Sequence, residues 1–107
     1  MTETEKAQLR AALDQMVRSF LAKLPERVEE LDAYLEELRT GSTEIRESIE
    51  AFAHSMAGSA GVFGFPQIAR QAQLVERAIR EGKDNNTILP DAESLLGLLE
   101  QPPERQA

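Results

Sequence analysis

From Leu9 to Leu99 the large apolar residues return every three or four positions, and no segment alternates in the period of a strand. That spacing lays them along one face of successive α-helices and restricts the chain to an all-α fold. Leu9, Leu13, Met16, Val17, Phe20, Leu21 and Leu24 predict a first helix over about residues 5–24, which Pro25 punctuates. Val28, Leu31, Leu35 and Leu38 predict a second over about 26–39, ended by Gly41. Ser42 or Thr43, with Glu44 and Glu47 following, resembles a cap that opens a third. Phe65 and Pro66 open a fourth, with Ile68, Ala72, Val75 and Ile79 on its buried stripe, and Gly82 and the polar turn Lys83–Asn86 end it. A fifth spans about Leu89–Glu100. Short connections favour antiparallel neighbours. The expected architecture is an antiparallel four-helix bundle with an additional N-terminal helix. That helix has a broad apolar stripe, which core packing explains first and self-association second.

At 107 residues the chain has room for one core, so residues 1–107 are read as a single domain whose tail, 101–107, frays. The absence of cysteine removes thiolate metal sites and disulfides, and one histidine cannot supply a clustered metal site. No metal and no cofactor of the chain's own is expected. A net charge of −7 opposes binding to a phosphate backbone, which argues against a nucleic-acid partner. The charged N-terminus has no apolar run of signal or membrane-spanning length, so a cytoplasmic protein with no membrane partner is expected.

The segment AHSMAGSAGVFGF, residues 53–65, holds the only histidine and three closely spaced glycines. With about 100° per residue, Ile45, Phe52, Ala53, Met56 and Ala60 fall within roughly 60° of Ile49 and form the core face. His54 falls about 140° from Ile49, on the opposite face. Glu47, Glu50, Gly58 and Gly61 share its stripe. Each interior glycine weakens a helix by about 1 kcal/mol relative to alanine. Gly58 is best explained by access to the imidazole, Gly61 equally by access or packing, and Gly64 by the end of the helix.

An exposed imidazole offers a nitrogen nucleophile near neutral pH. Serine-type hydrolysis would need an activated nucleophile, and Ser55 and Ser59 project away from the histidine stripe. General acid–base catalysis would need a pocket, which a convex helix face lacks. Accepting a phosphoryl group from a partner that brings its own active site needs only the nucleophile and a clear surface.

The run from His54 to Phe65, with Gly58, Ser59, Ala60, Gly61 and Gly64, resembles the histidine phosphotransfer (HPt) domain of multistep two-component phosphorelays, as do Ile68 and the segment LVERAIREG on the next helix. The resemblance implies a non-enzymatic phosphocarrier in which His54 carries a phosphoryl group between receiver-domain aspartates. Its partners would be response-regulator receiver domains and a hybrid histidine kinase. Mg²⁺ and most of the catalytic apparatus would belong to the receiver. Glu50, Ser55, Gly58, Ser59, Gly61 and Val62 would meet the partner, and Gln73 or Glu76 would orient the imidazole. A monomer is expected. Ala57 stands where the family has a lysine, which leaves Glu47 and Glu50 without an evident counterweight. The competing reading is a helical interaction module, or a degenerate HPt domain, that binds a signalling partner without phosphotransfer.

Overall fold

The structure, a computed structural model, describes residues 1–106. It contains four helices: α1 Glu3–Arg39, α2 Ile45–Val62, α3 Pro66–Arg80 and α4 Asn85–Glu100. Each packs against its two neighbours in the order α1, α2, α3, α4 and back to α1, with α2 and α3 the most extensive pair. Short turns reverse the chain between them. Leu31, Leu35, Ile49, Phe65, Ile68, Val75, Ile88 and Leu95 fill the centre, each removed from water almost completely.

The first two expected helices are one. α1 runs unbroken for 37 residues through Pro25, so the N-terminal element is not a separate helix. Proline removes the amide that would bond to the carbonyl of Leu21, at a cost of about 3 kcal/mol in a helix interior. Pro25 lies on the exposed side, where water can solvate that carbonyl, while the adjacent Leu24 is buried on the core side. Continuing the helix keeps Val17, Leu24 and Leu31 on one buried face, which a break at residue 25 would divide. At about 1.5 Å per residue, α1 accounts for the full 55 Å length of the molecule. Its first half projects as an arm beyond the bundle, leaving Leu9, Leu13 and Met16 exposed. Phe20 marks the foot of the arm, with its ring centroid 5.5 Å from those of both Phe63 and Phe65 in the α2–α3 turn.

Two helix starts also differ from expectation. Neither hydroxyl of Ser42 and Thr43 caps α2, whose cap residue Glu44 makes no side-chain cap bond. Instead the Ser42 carbonyl accepts from Asn85 Nδ2 at 3.0 Å, and Arg46 Nη1 donates to Asn85 Oδ1 at 2.9 Å. These bonds tie the α1–α2 turn to the start of α4. α4 begins before Leu89 because Asp84 caps it, accepting from the Thr87 amide at 2.8 Å. The Thr87 side chain first, then this amide bond and the positive charge of Arg46, lower the Asp84 pKa.

The tail is anchored where fraying was expected. The Gln106 amide donates to the Gly64 carbonyl at 2.7 Å, and Arg105 Nε donates to the Phe63 carbonyl at 2.9 Å. The last residue of the chain lies outside the described residues. Gly64 is constrained twice: its φ is +90°, and a Cβ there would run into the Gln106 carbonyl.

Candidate functional site

The core face of α2 consists of Ile45, Ile49, Phe52, Ala53, Met56 and Ala60, all buried, as helical periodicity requires. With that face fixed, His54 points away from the core, and its side chain is 73% exposed. One edge of the imidazole is nonetheless anchored. Nδ1 lies 2.6 Å from Oε2 of Glu76 on α3, whose side chain is only 11% exposed. Because an ionised carboxylate only accepts, Nδ1 is the donor, and the lone pair of the neutral ring is left on Nε2. Nε2 has no hydrogen-bonding partner among the described residues. Gln73, the other expected contact, is exposed and makes no hydrogen bond to the imidazole.

Glu76 is itself held. Arg80 Nη2 lies 2.8 Å from the same Oε2, and Arg80 Nε donates to Oε2 of Glu50 at 2.8 Å. The chain Glu50–Arg80–Glu76–His54 therefore joins α2 to α3 through charge-assisted hydrogen bonds. The hydrogen bond to Glu50, and next the charge of Glu76, raise the Arg80 pKa, so it stays a cation at any relevant pH. Glu50 thus has the counterweight that the sequence of α2 alone did not reveal. Arg80 is the functional candidate that sequence reasoning missed. Its one signal was the four-residue spacing from Glu76, which sets a carboxylate and a guanidinium on one helix face.

The remaining candidates divide over two adjoining surfaces. Gly58 and Gly61 are exposed on the stripe of His54, with exposed Val62 beside them. Ser55 and Ser59 turn toward α1, where they line the rim of a groove between the two helices. A Cβ at Gly58 would meet nothing within 4 Å, and one at Gly61 would make only an ordinary contact with Ala69 at 3.9 Å. Neither glycine is demanded by packing or by backbone conformation. Gly58→Ala is therefore expected to raise the free energy of unfolding by about 1 kcal/mol, measured by urea denaturation. A lower stability would show that the space over Gly58 is not open.

Among the described residues no helix is long and apolar enough to cross a membrane. The family model for the Hpt domain matches residues 15–101, from the foot of the α1 arm to the end of α4. No curated protein and no solved structure gives a significant match. A helical bundle with its lone histidine exposed on α2, matched by that model over most of its length, is thus a member of the Hpt domain family, whose proteins serve phosphotransfer in two-component phosphorelays with receiver domains and histidine kinases.

Proposed function

We propose that the protein is a phosphocarrier in which Nε2 of His54 takes a phosphoryl group from the aspartyl phosphate of one receiver domain and yields it to another. The observation that carries this reading is the orientation of the ring: Nδ1 is tied to Glu76 at 2.6 Å, and the opposite nitrogen is open to a partner. In the transfer, the Nε2 lone pair forms the N–P bond as the P–O bond to aspartate breaks, and that carboxylate leaves with the electron pair. Positive charge develops on the imidazole, and the Glu76 carboxylate, accepting from Nδ1–H, stabilises it. In the reverse direction an incoming aspartate oxygen attacks phosphorus and the imidazole leaves neutral. Mg²⁺ held by the receiver would neutralise the phosphoryl oxygens, and no metal of the chain's own is expected.

Ala57, an uncharged side chain partly buried against the core, gives the phosphoryl group no cation from α2. Arg80 takes over part of that role from α3. It offsets the charges of Glu50 and Glu76, which would otherwise repel an approaching phosphoryl group. Glu50, Gly58, Gly61 and Val62 form the landing surface around the imidazole, with Ser55 and Ser59 at its edge.

The test is transfer itself. Incubated with phosphorylated receiver domains, the protein is expected to acquire phosphate that is labile in acid and stable in alkali, as a phosphoramidate is. Binding to a receiver without uptake of phosphate would favour the interaction-module reading, in which the absence of the lysine at Ala57 has ended transfer.

A further inference from the structure

We propose that the projecting arm of α1 is a self-association element that pairs antiparallel with the same arm of a second copy, its tip lying in the groove between that copy's α1 and α2. This departs from the monomer expected from sequence. It rests on the shape of α1 and stands whether or not His54 carries phosphate.

Leu9, Leu13 and Met16 are 60%, 38% and 53% exposed, and with partly buried Phe20 they form one stripe. Their successive separations of four, three and four residues are those of the apolar seam of a two-helix coil. The seam is self-complementary when reversed. A two-fold axis between residues 14 and 15 sets Leu9 of one copy opposite Phe20 of the other, and Leu13 opposite Met16, so each layer pairs large apolar side chains.

The position of the bundle excludes the parallel alternative. The stripe lies on the same side of α1 as Val17, Leu24 and Leu31, which are covered by the rest of the bundle. Two parallel arms meeting through this side would drive both bundles into the same space. Antiparallel arms place the bundles at opposite ends.

The reversed arm also meets a surface shaped for it. Beyond Phe20 the stripe continues into a groove of about 690 Å³, with Met16, Phe20 and Leu24 on one wall and Phe52, Met56 and Phe63 on the other. Lys23, Arg27 and Glu30 line the same groove, with Arg27 paired to Glu30 at 2.6 Å. In this register Glu3 of the second copy comes opposite Glu26 and Glu5 opposite Leu24, so the apolar layers rather than charge pairs set the register. Lys6, which comes opposite Lys23, is paired with Glu3 of its own helix at 3.5 Å. A contact between two short helices lies toward the small end of specific interfaces, so the dimer should be concentration-dependent.

Sedimentation of the full chain from micromolar to millimolar concentration is expected to show a mass rising toward twice that of the single chain. In Leu13→Glu the single-chain mass should persist throughout with helical circular dichroism unchanged, because Leu13 is solvent-exposed in the isolated molecule. Register is read from cysteine variants, which the cysteine-free chain allows without background. An equimolar mixture of Leu9→Cys and Phe20→Cys should oxidise to the mixed disulfide rather than to either homodimer. A single-chain mass for the wild type at all concentrations would overturn the proposal, as would a dimer indifferent to Leu13→Glu or preferential Leu9→Cys homodisulfides. A receiver domain whose binding to a monomeric wild type is lost in Leu13→Glu would assign the stripe to that partner and overturn it equally.

Discussion

His54→Gln is expected to abolish phosphate uptake while leaving the fold intact. Both halves follow from the position of the side chain. It projects from the face of α2 opposite Ile49 and Ala53, so its replacement opens no cavity. Glutamine can still donate to Glu76 through its amide, and Arg80 remains paired with both carboxylates. What glutamine lacks is a nucleophilic nitrogen, because its amide lone pair is delocalised. The transition midpoint in urea should therefore stay close to that of the wild type while acid-labile phosphate disappears. Residual phosphate in this variant would place the acceptor elsewhere; a large loss of stability would contradict the exposed position.

The second large effect is expected at Glu76. Glu76→Ala removes the acceptor for Nδ1–H, frees the ring to rotate and releases one contact of Arg80. A hydrogen bond to a charged group contributes about 1.5–3 kcal/mol, so transfer to His54 should slow by roughly ten- to a hundredfold. Glu76→Gln keeps an oxygen that can accept from Nδ1–H but loses the charge, and it should fall between wild type and Glu76→Ala. A structural role alone would not produce that order. ¹⁵N spectra supply the independent readout: the wild-type imidazole should carry its proton on Nδ1, and Glu76→Ala should shift toward the Nε2–H form common in free histidine. Equal rates in all three proteins would remove Glu76 from the mechanism.

Helical periodicity makes much of this arrangement legible in the sequence. It finds every buried position of α2, sets His54 on the opposite face and separates Met56 and Ala60, which serve the core, from Gly58, which does not. Such inferences need only the geometry of one helix. The errors arose where local preference was set against tertiary packing. Pro25 is a strong helix breaker by itself, yet the continuous face from Val17 through Leu31 holds α1 together across it. Asp84 and Asn85 read as turn residues, but a cap at Asp84 and bonds from Asn85 to the α1–α2 turn make them the start of α4. The segment QPPERQA at the end of the chain reads as loose, though two of its residues, Arg105 and Gln106, bond to the α2–α3 turn. The Glu50–Arg80–Glu76–His54 chain was hidden for the same reason. It crosses between helices, and a wheel drawn for α2 cannot show that Arg80 approaches from α3.

These residues give the histidine stripe of α2 two physical parts. One is the anchored imidazole, fixed through Nδ1 by a carboxylate that Arg80 holds in turn. The other is the cleared surface, where two glycines sacrifice helix stability for no demand of the fold. In the proposed function, the first would leave one ring nitrogen free to react, and the second would let a large partner reach it.

The most direct test is the attachment point of the phosphoryl group, read by long-range ¹H–¹⁵N correlation on the phosphorylated, ¹⁵N-labelled protein with ³¹P detection of the N–P bond. One phosphohistidine is expected, His54, bonded through Nε2 with Nδ1 still protonated toward Glu76. Phosphate on Nδ1, or on any other residue, would contradict that assignment.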